Sequence, residues 1–193
     1  MGKKNRVFYG EWFAMSKGKQ FSIVVFGKKG YGKTTWIRYF IRSNPQYLYL
    51  IYDHFNDFYL DDNGAKYFPD SVVVHNINEY LQFQQVYNVK KGVFIFQGEI
   101  DYNDFFALCI AQQPCTCIFD EVDKACNPHF IDPDLKRIIH YGRHFNINLI
   151  TAARRPHNVS RDLTSQADEM TLFCVTETVD IKYINIKRKI NVS

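Results

Sequence analysis

The stretch FSIVVFGKKGYGKTTWIRYF, residues 21–40, limits what this chain can become more than any other. Residues 21–27 form an unbroken apolar run, the composition of a strand buried on both faces. Residues 33–43, KTTWIRYFIRS, read as the helix that follows it. Between them GKKGYGKT, Gly27 to Thr34, matches the pattern G-x-x-x-x-G-K-[ST] without deviation. A strand that turns into a helix in this way aims backbone N–H groups and the positive end of the helix dipole at one point, where a phosphate binds. Gly27, Gly30 and Gly32 permit backbone angles and close approaches that a side chain would block. Lys33 is placed to span β- and γ-phosphates, and Thr34 to hold Mg²⁺ through its hydroxyl. Lys28, Lys29 and Tyr31 fill the variable positions and Thr35 the first turn. They complete the expected cradle, with the two lysines read as solvated and not catalytic.

The remainder repeats the alternation of strand and helix. Strands are expected over 47–53, 71–76, 92–98, 115–121, 147–153 and 169–177, and helices over 77–87, 102–113 and 133–145. Strands that are apolar throughout, with helical crossovers between them, predict a largely parallel sheet covered on both faces, a three-layer α/β domain. At 193 residues, without repeat or linker, the chain reads as one domain, residues 1–193. Residues 1–20 are expected as an N-terminal arm or hairpin.

A second motif decides the chemistry. CIFDEVD sets Asp120 and Glu121 at the carboxyl end of an apolar strand, where open α/β sheets bind their ligands. Asp120 is the expected metal partner, partly through water, and Glu121 the general base that polarises an attacking water. Adjacent carboxylates suit hydrolysis, whereas a kinase for small molecules keeps water out. The plainer alternative is that the pair caps the next segment. Asp123 and Lys124 are expected at the surface. Asp53 ends its strand either ordering water near the metal or as a simple cap.

The net charge of +4 and pI near 8.7 permit a nucleic-acid partner without demanding one. Five cysteines, an odd number without framework spacing, point to reduced thiols. Cys115, Cys117, Cys126 and His129 can be drawn as a zinc set, but the first two sit in a strand as small apolar residues. No secretory signal or membrane span is apparent, and Arg6 stands where a myristoylation signal needs Ser or Thr.

Together GKKGYGKTT, LIYDHFNDF, CIFDE and YGRHFNINLITAARRP resemble the FtsK–HerA superfamily of P-loop DNA translocases. The likeness is closest to the genome-packaging ATPases of membrane-containing icosahedral double-stranded DNA viruses, and covers roughly residues 20–175. It implies a RecA/ASCE-like α/β/α P-loop NTPase that uses ATP and Mg²⁺ to drive double-stranded DNA, without reading sequence, into a preformed capsid. It also implies a homo-oligomeric ring, a hexamer or pentamer, with viral capsid or membrane vertex proteins as partners, in the host cytoplasm or on the virion. A related phage DNA export ATPase, a nucleotide kinase with Arg154, Arg155 and Arg161 as lid arginines, and a nucleotide-dependent switch are the alternatives.

The superfamily carries an arginine after the Asp-Glu strand, then a strand ending in a polar sensor, often within Thr-Gln-Arg-Pro. Here Arg143 and Arg155-Pro156 match, while Ala153 and Arg154 replace Thr and Gln. The sensor then falls to Arg154, to Thr151 or to both together, with Arg154 preferred. Arg143 is the first candidate and Arg155 the second for a finger reaching a neighbouring subunit's γ-phosphate, although a cation at the end of its helix would also account for Arg143. Arg154 and Arg155 are both expected to face the nucleotide, and Arg161 to be a surface or subunit contact. Lys3, Lys4, Arg6, Lys187, Arg188 and Lys189 are candidate DNA contacts.

Overall fold

A computed structural model describes residues 20–61 and 63–190, the last five of these by backbone alone. The expected arm and Lys3, Lys4 and Arg6 lie outside the described residues, as do the side chains of Lys187, Arg188 and Lys189.

Seven strands form one parallel sheet in the order β3-β4-β2-β5-β8-β1-β9. They are β1 (Ser22–Gly27), β2 (Leu48–Tyr52), β3 (Val72–Val74), β4 (Gly92–Phe96), β5 (Cys115–Phe119), β8 (Ile147–Ala153) and β9 (Glu169–Phe173). The five central strands are buried almost end to end, which accounts for their lack of polar alternation. β6 (Cys126–Asn127) and β7 (Phe130–Ile131) make a small antiparallel hairpin after β5.

The two faces are covered differently. On one, Val24, Leu50, Phe94, Cys117 and Leu149 pack with Tyr80, Phe105, Leu135, Ile138 and Leu163. Those partners come from α2 (Ile77–Tyr87), α3 (Tyr102–Gln112), α4 (Pro133–Tyr141) and α5 (Arg161–Gln166). On the other, Ile23, Val25, Ile51, Ile118 and Ile150 pack against Ile37, Phe40 and Ile41 of α1 (Lys33–Ser43), together with Phe58 and Phe68. Phe58 and Phe68 belong to the long connection between β2 and β3, so irregular chain completes this layer. Arg42 fastens it by donating to the Tyr67 carbonyl at 2.7 Å, with its guanidinium 4.1 Å from the Tyr67 ring centroid.

Several expected boundaries move. α4 stops at Tyr141 instead of running to 145. Gly142 ends it, and a Cβ there would stand 2.6 Å from the Ile138 carbonyl oxygen and 3.1 Å from that of Ile147. β9 stops at Phe173, because Cys174 takes a left-handed φ of 44°. The chain then forms α6 (Thr178–Ile190), a helix absent from the sequence reading. The expected strand at 71–76 shrinks to three residues at the sheet edge.

Candidate active site

The carboxyl ends of β1, β5 and β8 bring the two motifs together. α1 opens on Gly32, whose φ of 100° disfavours any side chain, and neither a side-chain cap nor an acidic residue occupies its first turn. The first-turn N–H groups of Lys33, Thr34 and Thr35 have no partner within the helix and face outward. Lys28, Lys29, Gly30 and Tyr31 are exposed along the turn, while Thr34 is half-buried and Thr35 exposed. Gly27 lies so close to β9 that a Cβ would stand 2.1 Å from the Phe173 carbonyl oxygen. Lys33 folds back over the turn, its Nζ donating to the Gly27 carbonyl at 2.8 Å and approaching that of Lys28 at 3.4 Å.

Asp120 follows β5 directly and its Oδ1 accepts the Glu121 N–H at 2.8 Å. Burial raises its carboxyl above the ordinary aspartate value, opposed by that N–H and by Lys33. Burial likewise lowers the Lys33 ammonium, opposed by Asp120. The hydroxyl of Thr34 and the carboxylate of Asp120 are hard oxygen donors, a set that fits Mg²⁺ beside phosphates.

Glu121 adopts a left-handed φ of 53° at the start of a 3₁₀ turn, Val122–Lys124. Both its oxygens are held, Oε1 by Arg154 Nη2 at 2.6 Å and Oε2 by the Lys124 ammonium at 3.3 Å. Burial pushes its carboxyl upward, but Arg154 and Lys124 outweigh this and hold it below the ordinary glutamate value. Asp123 was expected at the surface. It is instead half-buried, with its Oδ1 fully covered and unpartnered among the described residues, and its charge acts on both Lys33 and Arg154.

Of the predicted arginines, only Arg154 meets the other site residues. Arg155, one step on, donates from Nε to Asp180 Oδ2 at 3.0 Å and so ties α6 to the end of β8. Arg143 pairs with Asp168, which also accepts the Ser22 N–H at 2.8 Å. That places Arg143 at the amino end of β1, roughly 16 Å of strand away from Gly27. Arg161 opens α5 and is exposed. With Arg154 and Arg155 bound to carboxylates on different elements, the three do not form a lid.

Thr151 lies inside β8, paired in register with Val24 and Phe119, and its buried hydroxyl has no hydrogen-bond partner among the described residues. Arg154 is therefore the better placed of the two sensor candidates. Asp53 serves as a cap: its carboxylate accepts Asp57 N–H at 2.8 Å, Phe58 N–H at 3.0 Å and the Gln97 amide at 3.1 Å. Cys115, Cys117 and Cys126 are buried in the core, and among the described residues no group of three or more His, Cys, Asp or Glu is placed to hold a metal ion. Lys124 is exposed, as expected, but neither its ion pair with Glu121 nor the partial burial of Asp123 has a signal in the sequence beyond proximity.

With this geometry in hand, the similarity to solved proteins has a clear meaning. The genome-packaging NTPase B204 from Sulfolobus turreted icosahedral virus 2, in complex with ATPγS, aligns with a TM-score of 0.66 at 20% identity, over 86% of this chain and 80% of that one. Its sulfate complex aligns at 0.67 and 19%, over 87% and 80%. B204, the DNA-packaging ATPase from Sulfolobus Turreted Icosahedral Virus, aligns at 0.62 and 19%, over 86% and 81%. This chain has their fold. No protein-family model matches it, and no curated protein does. Among the described residues no helix is long and apolar enough to cross a membrane.

Proposed function

We propose that the chain is an ATP-hydrolysing motor that moves double-stranded DNA into a viral capsid. The observation that carries the hydrolytic part is Glu121, an ionised carboxylate at the end of β5, facing Arg154 at the end of β8 and sharing a site with the P-loop lysine. The packaging part is supported by the fold shared with B204 and by the sequence motifs. On this reading Lys33 and the α1 N-terminus bind the β- and γ-phosphates of ATP. Thr34 and Asp120 would hold Mg²⁺, which supplies charge neutralisation at those phosphates. Glu121 accepts a proton from the attacking water as its oxygen bonds to the γ-phosphorus, releasing ADP and phosphate.

Arg154 is the sensor. Its guanidinium donates to Glu121 Oε1. A γ-phosphate offers a competing anion, so ATP binding draws Arg154 away and frees one oxygen of the base for water. Arg143, on the far end of the sheet, acts only on a neighbouring subunit in a pentameric or hexameric ring. Duplex DNA is gripped through its phosphates, independently of sequence. Capsid or membrane vertex proteins dock the ring, in the host cytoplasm or on the virion.

The test is ATP turnover against protein concentration, with and without duplex DNA, for wild type, Glu121→Gln and Arg143→Ala. The expected result is a rate per chain that rises with concentration and with DNA, falls about 10³-fold in Glu121→Gln with ATP still bound, and collapses in Arg143→Ala. A DNA-insensitive rate would refute translocation. A Glu121→Gln rate equal to wild type would refute the assignment of the base.

A further inference from the structure

Lys124 is unexplained by the roles above. It lies on the 3₁₀ turn after Glu121, and its own N–H closes that turn on the Glu121 carbonyl at 3.1 Å. A 3₁₀ turn has about three residues per turn, so positions i and i+3 eclipse. The closed turn brings Lys124 back beside Glu121, the residue that caps it. Its ammonium is 3.3 Å from Glu121 Oε2 and 4.4 Å from the ring centroid of Phe55.

Phe55 itself is 53% exposed, an unusual setting for a phenylalanine beside a candidate base. The turn that carries it is fixed, because Asp53 accepts the N–H groups of Asp57 and Phe58. β2 and β5 are sheet neighbours with Tyr52 opposite Phe119, so Phe55 and Glu121 leave the sheet side by side. The ring offers Lys124 a cation–π partner besides the carboxylate.

We propose that Lys124, seated on Phe55, is a positioning residue for Glu121. This rests on the reading of Glu121 as the general base. One cation would suffice to park a carboxylate, but Arg154 leaves when ATP arrives. Lys124 comes from the same turn as Glu121 and has no reason to follow. It keeps Oε2 fixed while Oε1 turns to water, so the base does not swing into solvent during the step that needs it.

The experiment compares Lys124→Ala, Lys124→Arg and Phe55→Ala with wild type, each also in the Glu121→Gln background. Melting temperature and ATP dissociation constant are measured beside kcat and KM. Lys124→Ala should melt near wild type, bind ATP within about twofold, and lose roughly tenfold in kcat with KM little changed. Lys124→Arg should recover most of the loss, and Phe55→Ala should lose about threefold. In the Glu121→Gln background none of these substitutions should lower the residual rate further. Unchanged kcat in Lys124→Ala, a loss in KM alone, failure of Lys124→Arg to recover, or full additivity with Glu121→Gln would each overturn the proposal. If Glu121→Gln itself turns over like wild type, it is the assignment of the base that has failed, and the proposal falls with it.

Discussion

Arg154 and Arg155 are neighbours in sequence, and each donates to a carboxylate, yet the two pairs differ in kind. Arg154 meets Glu121 in the open at the end of the sheet, with relative side-chain exposures of 52% and 18%. Arg155 turns the other way and meets Asp180, which is 2% exposed and also accepts the His157 N–H at 3.2 Å. β8 ends at Ala153, the chain bends at Arg154, and Arg155 begins the next turn, so consecutive side chains part and a two-residue motif divides its labour. An exposed ion pair adds little to stability and can be exchanged for another partner at small cost. A pair with one buried member has no such freedom, because parting it leaves an uncompensated charge. The first suits a sensor and the second a fixed joint between the site and α6.

Arg154→Ala gives the largest effect that would sharpen this contrast. ATP turnover should fall about 10²-fold, the scale of losing one donor to developing charge. The urea midpoint at neutral pH should move by less than about 1 kcal/mol. A stability loss as large as that of Arg155→Ala would erase the distinction between the two pairs.

Arg155→Ala should do the reverse. Asp180 keeps one backbone donor, and Arg155 is itself 41% exposed, so the cost is about 2 kcal/mol, below the range for fully buried pairs. For a chain of this size that is a melting-point drop of roughly 4–8 °C. ATP affinity should hold within a few fold. Asp180→Asn, which leaves Arg155 partly solvated, should cost less. Equal stability of Arg155→Ala and wild type would break the idea of a fixed joint.

The same pair explains what the sequence could and could not disclose. The P-loop, the β5 carboxylates and the parallel sheet were legible because each is written in contiguous residues: an apolar run, a glycine spacing, two acids at a strand end. Arg155's partner was not legible, since it lies 25 residues away on α6, whose start Val179-Asp180-Ile181-Lys182-Tyr183 alternates with the period of a strand. Tertiary contacts decide for helix: Ile184 is buried and the Tyr183 hydroxyl meets that of Thr164 at 2.6 Å. The end of β9 depended on a single left-handed residue, Cys174, of a type with no preference for that region. Lys124 is exposed, as the sequence suggests, but its pairing with Glu121 is not legible there, because it depends on a 3₁₀ turn that begins at the left-handed Glu121. Arg143 was legible as a helix-end cation, but only the sheet's polarity revealed which end of the domain it serves.

The smallest expected effect is electrostatic, and it separates the pairs by pH. In the nucleotide- and metal-free protein, Arg154 and Lys124 hold the Glu121 carboxyl below its ordinary value against the upward push of burial. A carboxyl lowered on folding binds its proton more weakly folded than unfolded. Its contribution to stability is therefore complete above the unfolded value of about 4.3 and is lost as pH falls toward the folded one. Asp53, Asp120, Asp132 and Glu169 are raised on folding and carry the opposite sign, so wild-type stability alone would not isolate Glu121. The difference between wild type and Arg154→Ala reports first on Glu121, the largest partner of that guanidinium, with Asp123 and Asp120 behind it. Their urea midpoints should stand furthest apart near pH 6 and converge as pH falls below about 4.3, as protonation of Glu121 removes the partner that Arg154 had. A difference constant across that range would show that Arg154 does not hold Glu121 in solution, and the sensor would then have to be sought elsewhere.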